Sequence, residues 1–508
     1  MLNPDELQEE FLYLHKSAIT PTVQSQVTQN ISTGLSHMDL ILASQSATRR
    51  RILNSARISA QFMSPQIDEE NITKSLIAEQ ALPRDIADTL AEHKALKISR
   101  KNPDSWVIGC DQILVFEGEI FGKPALPEAL KTSLSRLSGK THRLITANVI
   151  YKDSKPQWRH ISINHMSMRS MSAAEIDAYI EAHWQDVKHS AGGYHFEKTP
   201  DLFADVRGNW FDIMGLSIGP IISFLNQTNT TAPFQTPKLA AVLGHPIAQS
   251  KSPLMHGHWL KKNQISGDYF AIDIPPARFS ETVRMLFDLG FSGFNVTIPH
   301  KEQALAFADD ATPRAQRIGA SNTLIKKDNG NINADNTDGY GFMTNLISQS
   351  TTWQPSAGPS LVLGAGGAAR AILVAFLDAG APKIYLCNRT RARAEDLAAE
   401  ISDLIEVIEW QDKEDILPKV FTVVNSTSLG MIGKPALDFD LTHVNPRALV
   451  ADLIYAPLET QLLKDARARG CEVVGGIGML LHQGVPGFEA WFGTRPVVDQ
   501  ELEALVLT

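Results

Sequence analysis

The sequence predicts an α/β protein throughout, built from two globular units. Three observations predict it. Apolar strands alternate with helical stretches over residues 38–225, the segment "NQTNTTAPFQTP" at residues 226–237 has the composition of a linker, and the alternation restarts with "KLAAVLG" at Lys238. A chain of 508 residues is too long for one hydrophobic core. Its length favours about three domains of ordinary size.

Composition excludes several classes of protein. Hydrophobic residues make up 43% and charged residues 20% of the chain, which is typical of globular proteins. A net charge of −9 argues against a non-specific nucleic-acid binder. We find no apolar run of about 18 residues, and therefore expect no membrane span. The opening "MLNPDELQEE" is acidic, so we expect no signal peptide.

The few cysteines favour a cytoplasmic protein. Cys110, Cys387 and Cys471 are too scattered for a disulfide framework or a zinc site, and they fit a reducing compartment. We expect small-molecule ligands, with neither nucleic acid nor membrane as a partner. A homodimer is compatible with the sequence. Residues 1–37 are polar and weakly patterned, and we expect a flexible extension there.

The first unit begins with a pattern that suits phosphate binding. "LILASQSATRRRIL" predicts a strand ending at Ser44-Gln45-Ser46, followed by a helix that starts with Arg49 and Arg50. Hydroxyl groups, free amides at a helix start and guanidinium groups at one place form a phosphate cradle.

Acids and lysines follow in the same unit. "WVIGCDQILVFEGEIFGKP" predicts a strand ending at Asp111, then a hairpin, then Lys123. Lys94 lies on a predicted helix, and "QIDEEN" offers Asp68 and Glu69. Carboxylates that hold Mg²⁺ and lysines that neutralise phosphate suit a metal-bound triphosphate. The spacing of the histidines, which include His93, His142 and His189, matches no zinc pattern, so we expect surface or hydrogen-bonding roles for these three.

The second unit contains a dinucleotide-binding pattern. In "SLVLGAGGAARAILVAFLDAGAPKIYLCNRT", a strand at Leu361–Leu363 leads into a small-residue turn, a helix, and a second strand at Lys383–Cys387. Small residues let the backbone approach a pyrophosphate, and the helix start supplies amide donors. The predicted cofactor-binding residues of the turn are Gly364, Ala365, Gly366, Gly367 and Ala368.

The end of the second strand favours NADP over NAD. NAD enzymes usually place an acid there, whereas this chain has Asn388, Arg389 and Thr390, with Arg391 and Arg393 just beyond. Guanidinium groups bind a 2′-phosphate that a carboxylate would repel. The alternative interpretation is a solvated run of arginines that opens a helix.

The stretch "GFNVTIPHKE" places polar residues at the end of a strand predicted at Phe294–Ile298. Asn295, Thr297 and Lys301 would each cost free energy if buried without a partner. Either they satisfy one another, or they contact a molecule from outside.

Nine motifs in a fixed order identify the second unit. Residues 238–508 resemble shikimate dehydrogenase over its whole length, through "GHPIAQSKSP", "GFNVTIPHKE", "GASNTL", "NTDGYG", "GAGGAAR", "NRT", "NSTSLGM", "DLIYAPLETQLL" and "GGIGMLLHQG". The resemblance implies reduction of 3-dehydroshikimate with NADPH. It also implies two lobes: a shikimate-binding lobe at 238–340, a Rossmann NADP-binding lobe at 341–474, and C-terminal helices at 475–508 that return to the first lobe.

The same resemblance assigns roles residue by residue. Lys301 and Asp338 match the catalytic pair. The residues matching substrate contacts are Ser250, Ser252, Thr297, Asn322, Tyr455 and Gln483. Those matching further cofactor contacts are Thr427, Gly476 and Met479. Simpler alternatives remain open: Ser250 could cap a helix near Pro253, and Asn322 could serve a turn. Asn295 is expected to be structural.

The first unit resembles the Maf family of nucleoside triphosphate pyrophosphatases across residues 38–225, including "LSGKTH" and "RGNWFDIMGLSI". The resemblance implies an α/β domain with a mixed sheet that releases a nucleoside monophosphate and pyrophosphate. Asp111 would be the general base, and Glu69 would join it at a divalent metal, Mg²⁺ by preference. The phosphate-binding residues would be Ser44, Ser46, Arg49, Lys94 and Lys123.

Two local features bear on substrate and activity. The pair Asp111-Gln112 and the stretch "HSAGGYHFEKTPDLF" look more like the 7-methyl-GTP group of the Maf family than the dTTP/UTP group. Ala47-Thr48 replaces the family's Pro-Arg, so a weakly active domain is one alternative. The overall alternative is an NAD-using quinate/shikimate dehydrogenase joined to a non-catalytic, regulatory Maf-like module.

Overall fold

A computed structural model describes residues 39–228, 233–350 and 352–507. The predicted extension at 1–37 lies outside the described residues. The described chain folds around three β-sheets that follow one another along the sequence.

The first sheet is mixed. Its strands are β1 (Leu40–Leu42), β2 (Gln61–Phe62), β3 (Trp106–Phe116), β4 (Glu119–Phe121), β5 (Thr141–Lys152), β6 (Lys155–Met168) and β7 (Phe203–Arg207). They lie in the order β2-β1-β3-β5-β6-β7, with β4 paired to β3. β1 is parallel to β2 and β3, and the remaining pairs are antiparallel. The helices of this half are α1 (Ala47–Ser55), α2 (Glu69–Ala78), α3 (Pro83–Ser99), α4 (Pro127–Leu137), α5 (Ala173–Val187), α6 (Trp210–Ile213) and α7 (Ile218–Thr228).

Strand β3 corrects one prediction. The strand does not end at Asp111 but continues to Phe116, and the hairpin turns at Glu117 and Gly118, where φ is 50° and 85°. A buried strand can carry this carboxylate because the Lys94 ammonium on α3 contacts it at 2.5 Å. A charged partner from another element offsets part of the cost of burying an acid there.

The second sheet is also mixed. Its strands are β8 (Lys238–Gly244), β9 (Gly267–Asp273), β10 (Phe291–Val296), β11 (Asp310–Ala311), β12 (Thr323–Lys326) and β13 (Ile332–Asp335). They lie in the order β11-β13-β12-β10-β8-β9. The helices between them are α8 (Ser252–Lys262), α9 (Phe279–Asp288), α10 (Lys301–Phe307) and α11 (Pro313–Ile318). β10 begins and ends earlier than predicted, because the Thr297 carbonyl accepts the His300 amide in a turn before α10.

The third sheet is fully parallel. Its strands are β14 (Ser360–Leu363), β15 (Ile384–Cys387), β16 (Ile405–Ile408), β17 (Thr422–Asn425), β18 (Leu449–Asp452) and β19 (Glu472–Val474). The order β16-β15-β14-β17-β18-β19 is that of a doubly wound sheet with its crossover at β14. Its helices are α12 (Asp338–Gln349), α13 (Gly367–Asp378), α14 (Arg391–Ile401) and α15 (Gln461–Ala468). The predicted α/β class with a Rossmann-type lobe is confirmed.

The last two helices are α16 (Ile477–Phe492) and α17 (Gln500–Leu507), and they pack on the second sheet. The Trp491 indole donates to the Leu324 carbonyl at 3.0 Å. A Cβ on Gly293 of β10 would lie 2.0 Å from that indole nitrogen, so glycine is required for the close approach. The domain boundaries inferred from the sequence stay predictions. None of the described helices is both long and apolar enough to cross a membrane.

Candidate active sites

Two helix starts bring Lys301 and Asp338 together. Each residue opens a helix, α10 and α12 respectively, and the Lys301 Nζ donates to Asp338 Oδ2 at 2.6 Å. The side chain of Lys301 is 30% exposed and that of Asp338 is 8% exposed. The ammonium group therefore lies where solvent and a bound molecule can reach it, and the carboxylate beneath it is fixed.

Asn322 fixes the orientation of Asp338. Its Nδ2 donates to Asp338 Oδ1 at 2.8 Å, while its Oδ1 accepts the Thr337 amide at 2.9 Å and the Thr323 hydroxyl at 2.9 Å. Nδ2 also lies 3.2 Å from Gln483 Oε1. Because both the nitrogen and the oxygen of its side-chain amide are hydrogen-bonded, Asn322 holds the Asp338 carboxylate in one orientation.

A cavity of about 320 Å³ surrounds this pair. It is lined by both members of the pair and by all six predicted substrate-binding residues, Ser250, Ser252, Thr297, Asn322, Tyr455 and Gln483. Further lining residues that the sequence did not assign to the site include Gln249, Lys251 and Met255. Lys251 could have been found, because it lies between the two predicted serines.

Two open alternatives are resolved by local contacts. The Ser250 Oγ accepts the Ser252 amide at 3.3 Å just before α8, but the N-cap residue of this helix is Lys251 and no side chain caps it, while Ser250 lines the cavity. Asn295 was expected to be structural, and its Oδ1 does accept the Tyr269 hydroxyl at 2.6 Å. It lines the cavity as well.

The glycine turn after β14 is shaped to admit a ligand. Gly364 has φ +107°, and a Cβ there would lie 2.7 Å from the Ser426 hydroxyl. A Cβ on Gly366 or Gly367 would meet no protein atom within 4 Å. No side chain caps the start of α13. Its free amides are therefore open to an anion. The two small residues Ala365 and Ala368 complete the turn.

The arginines beyond β15 divide into engaged and unengaged groups. Arg391 pairs with Glu395 and Glu409, each at 2.7 Å. Within the described residues, no ion pair or side-chain hydrogen bond engages Arg389 or Arg393, and both are exposed. Asn388 Nδ2 donates to the Thr390 carbonyl at 2.8 Å and closes the turn.

The remaining predicted cofactor residues lie in the loop after β17 and at the start of α16. The Thr427 hydroxyl donates to Asn425 Oδ1 at 2.7 Å and accepts the Leu429 amide at 3.1 Å, so it is occupied within its own loop. A Cβ on Gly476 would lie 2.1 Å from the Leu453 carbonyl oxygen. The Met479 carbonyl lies against Gly341 of α12.

The lysine–carboxylate pair adjoins the cofactor-type sheet. A Cβ on Gly339, next to Asp338, would lie 2.9 Å from the carbonyl oxygen of Ala371 on α13. Helix α12 thus connects the pair to the helix that the glycine turn opens. The arrangement places an acid–base group and a dinucleotide-type turn at the junction of two sheets.

A second cavity, of about 800 Å³, lies in the first half of the chain. All seven residues predicted there as phosphate or metal ligands line it, namely Ser44, Ser46, Arg49, Glu69, Lys94, Asp111 and Lys123. Lys94 Nζ contacts Asp111 Oδ1 at 2.5 Å and Glu69 Oε1 at 2.7 Å. The side chains of Lys94 and Asp111 are under 10% exposed, at 7% and 9%.

Burial and charge set the protonation of this group. Burial raises the pKa of Asp111, and the neighbouring Lys94 only partly offsets it. Burial alone would lower the pKa of Lys94, but the negative charges of Asp111 and Glu69 outweigh it and raise that pKa. The pKa of Glu69 is lowered, because Lys94 outweighs its partial burial.

Arg49 and two serines form the predicted cradle. The Ser46 Oγ caps α1 by accepting the Arg49 amide at 3.4 Å, and the Ser44 Oγ accepts the Ser46 amide at 3.2 Å. The Arg49 Nε donates to the Gly215 carbonyl at 2.8 Å. Arg50 instead stacks on Phe62 at 4.9 Å, so Arg49 is the arginine that lines the cavity.

Gln112 also lines this cavity. Its Nε2 donates to the Thr146 hydroxyl at 2.9 Å and to the carbonyls of Asp212 and Ile213, each at 3.0 Å. The amide orientation is therefore fixed. Cys110 is fully buried, and burial raises its thiol pKa, in keeping with a packing role.

The histidines fall into different settings. His142 is buried and its Nε2 lies 2.7 Å from the Tyr194 hydroxyl, whereas His189 lines the cavity. In the part of the chain that the structure describes, the only cluster of three potential metal ligands is His258, Asp499 and Glu501, which lies elsewhere.

The fold and the cleft place the second half in the class of two-lobed dehydrogenases with a Rossmann-type lobe. Models of the "Shikimate dehydrogenase substrate binding domain" and of "Shikimate / quinate 5-dehydrogenase" match residues 242–324 and 350–432. The NADP(+) shikimate dehydrogenase of Paracoccus denitrificans strain Pd 1222 is 51% identical over 275 residues, covering 54% of this chain and 98% of the relative. That of Roseobacter denitrificans is 52% identical over 269 residues, covering 53% and 97%. The chain belongs to the shikimate dehydrogenase family.

A solved structure agrees with this assignment. The quinate dehydrogenase of Corynebacterium glutamicum in complex with NAD is 28% identical with a TM-score of 0.50, covering 53% of this chain and 99% of its own. The first half matches a different family, "Maf-like protein", over residues 39–228. The chain is therefore a fusion of a Maf-like unit with a shikimate dehydrogenase, as the motifs predicted.

Proposed function

We propose that the protein is bifunctional, and that its second half reduces 3-dehydroshikimate to shikimate with NADPH. Bound NADPH would supply the hydride to the ketone carbon, and Lys301 gives a proton to the oxygen as the alkoxide forms. The observation that carries this proposal is the Lys301–Asp338 contact of 2.6 Å inside a polar cavity. A positioned acid–base group is worth about 10² to 10⁴ in rate.

The other cavity residues bind different groups of a small polyhydroxy acid. Ser250 and Ser252 bind its carboxylate, and Thr297, Asn322 and Gln483 bind its ring hydroxyls. Lys301 supplies the proton, while Asp338, itself held by Asn322, fixes the ammonium group. Tyr455 is 44% exposed and closes the mouth beside the nicotinamide. Gly476 and Met479 would lie beside the bound nicotinamide.

The cofactor is NADP(H) rather than NAD(H), and the arginines carry this part of the proposal. The amides of the turn from Gly364 to Ala368 hold the pyrophosphate, and Thr427 shapes the loop beneath it. The 2′-phosphate binds Arg389 and Arg393, which have no partner among the described residues. Asn388 and Thr390 hold the turn that presents these arginines.

Cofactor preference tests this proposal against the NAD-using alternative. That alternative is considered because the structurally similar quinate dehydrogenase was solved in complex with NAD. We expect kcat/KM to favour NADPH over NADH at least tenfold. The double variant Arg389→Ala/Arg393→Ala should lose most of that preference through a higher KM for NADPH. Arg391→Ala is the matched control, because Glu395 and Glu409 already engage this arginine. A clear preference for NADH in the unmodified protein rejects the assignment.

The first half hydrolyses nucleoside triphosphates to the monophosphate and pyrophosphate. Asp111 takes a proton from the water that attacks the α-phosphorus, and the bond from that phosphorus to the bridging oxygen breaks. Ser44, Ser46 and Arg49 bind phosphate oxygens at the start of α1, and Lys94 and Lys123 neutralise their charge. The raised pKa of Asp111 suits a general base.

The residues present fit a divalent cation. Glu69 and Asp111 converge on one ammonium nitrogen at 2.7 and 2.5 Å, so two carboxylates already meet at one point of the cavity. Hard oxygen donors that share a site with triphosphate oxygens suit Mg²⁺. Bound there, the cation would neutralise the charge of the departing pyrophosphate.

The residue after Asp111 indicates the substrate of the first half. Gln112 follows Asp111, as in the 7-methyl-GTP group, and we propose this nucleotide as the preferred substrate. The test is release of pyrophosphate from canonical and modified nucleotides with Mg²⁺. Asp111→Asn should lower turnover at least about 100-fold. If no nucleotide is hydrolysed while a partner protein co-purifies, the first half is a regulatory module instead.

A further inference from the structure

The two halves of the chain share one continuous apolar core. Trp210, the first residue of α6, is 1% exposed, and its ring lies between two rings of the dehydrogenase half. The ring centroids lie 5.2 Å from Phe270 and 4.8 Å from Phe291, both in edge-to-face geometry. Such pairs contribute about 0.5–1.5 kcal/mol each beyond the area they bury. Trp210 therefore anchors the contact.

Charged groups lie around this anchor. Arg51 of α1 donates to both carboxylate oxygens of Asp268 on β9, at 2.7 and 2.8 Å, and to the Tyr269 carbonyl at 3.1 Å. Its guanidinium lies 4.0 Å from the Phe270 ring centroid. Arg278 crosses in the other direction and donates to the Phe203 carbonyl at 3.1 Å. A two-pronged, stacked arginine fixes orientation as well as distance.

The elements that make this contact also form a wall of the nucleotide cavity. Helix α1 carries Arg49 toward the cavity and Arg51 toward the dehydrogenase half. The segment after Trp210 supplies the Gly215 carbonyl, which accepts Arg49, and the Asp212 carbonyl, which accepts Gln112. A phosphate that recruits Arg49 would compete with these contacts and displace α1 or α6.

On the side of the dehydrogenase half, a single residue, Tyr269, connects the interface with the shikimate cavity. The Tyr269 carbonyl accepts Arg51, and the Tyr269 hydroxyl donates to Asn295, which lines that cavity. Close-packed interiors transmit small displacements because they have little free space to absorb them. One strand, β9, thus touches both the interface and a cavity residue.

We propose that this interface couples the two cavities energetically, so that a ligand in one changes the affinity of the other for its own ligand. The proposal rests on shikimate as the ligand of the second-half cavity. The coupled elements are α1 and α6 on one side and β9 with Asn295 on the other. Linkage requires the effect to be reciprocal, with typical factors of about 5 to 150.

Hydrogen exchange of the full chain tests this with shikimate alone, so no nucleotide needs to be known. In the unmodified protein, saturating shikimate should slow exchange about fivefold in peptides covering α1 and α6, as well as in peptides covering its own cavity. Arg51→Gln should reduce the slowing at α1 and α6 and leave the cavity protection intact. Trp210→Ala should abolish the remote effect if the variant folds.

A matched control variant distinguishes loss of the coupling from the effect of removing any arginine that pairs with an acid and stacks on a ring. Arg136 contacts Glu119 at 2.8 Å and lies 4.8 Å from the Phe121 ring centroid, so it reproduces the setting of Arg51 entirely within the first half. Arg136→Gln should behave as the unmodified protein. Protection confined to residues 238–507 overturns the coupling while leaving the proposed substrate in place. Absence of protection in the shikimate cavity itself rejects the substrate, and the coupling with it.

Discussion

Two lysine–carboxylate pairs serve the two cavities, and they differ in their access to solvent. The Lys94 side chain is 7% exposed and contacts two acids, whereas that of Lys301 is 30% exposed and contacts one. A buried charge without partners costs several kcal/mol, so Lys94 depends on both Asp111 and Glu69. Lys301 remains near water, which suits a group that must regain a proton after each turnover.

The Lys301 ammonium carries a prediction at this scale. We expect Lys301→Ala to lower kcat about 10² to 10⁴-fold, because the alkoxide loses its proton source, with a smaller change in the KM for shikimate. Steady-state kinetics in both directions measure this. Lys261→Ala removes an exposed lysine of α8 outside the cavity and should leave kcat unchanged. Near-normal turnover of the Lys301 variant would remove this residue from the chemistry.

Among the elements, the turn from β14 to α13 combines backbone conformation and ligand access. Gly364 needs glycine for two reasons: φ is +107°, and the Ser426 hydroxyl lies 2.7 Å from where a Cβ would be. Gly380, after the same helix, shares a positive φ of +82° but faces open space. A substitution at Gly380 therefore tests backbone strain alone, whereas one at Gly364 tests strain together with a steric clash.

Alanine at these two positions should therefore give different results. Gly380→Ala should cost about 1 kcal/mol of stability through strain and leave the KM for NADPH unchanged. Gly364→Ala should cost more, and it should also raise that KM at least tenfold, because the turn must move where the pyrophosphate binds. Thermal unfolding and cofactor titration measure both. Equal KM values in the two variants would contradict a binding role for this turn.

Elements with local causes were predictable from the sequence, and elements with distant partners were not. The glycine turn follows from backbone requirements within six residues, so the strand before it was predicted within one residue, and a turn and a helix follow it as expected. The end of β3 was not predicted, because the charged partner of Asp111 inside the strand is Lys94, which lies on helix α3. The interface at Trp210 lacks any local signal, since an apolar residue there is equally consistent with an ordinary core.

At the scale of the whole molecule, buried histidines make stability sensitive to acid. Burial lowers the pKa of His142 to about 4, of His256 to about 3 and of His482 to about 4. The unfolded chain binds these protons near pH 6.5. Between the two pKa values the unfolded state holds more protons, so stability is present above about pH 6.5 and is lost as the pH falls toward 4.

His256 gives the sharpest test of this dependence. It is 0% exposed and its ring stacks on Tyr269 at 3.9 Å, and burial lowers its pKa although the neighbouring Asn295 side chain favours the protonated ring. From pH 7 to pH 5 this one group should remove about 2 kcal/mol of stability. His256→Phe keeps a stacking ring but has no site for a proton. From pH 7 to pH 5 the stability of this variant should therefore fall about 2 kcal/mol less than that of the unmodified protein, whatever the variant's stability at pH 7.

Urea unfolding at the two pH values measures that difference, and the comparison cancels any packing cost of the larger ring. His443→Phe is the control, because His443 is exposed and should leave the pH dependence unchanged. Equal losses in the His256 variant and the unmodified protein would mean that the folded state accepts the proton.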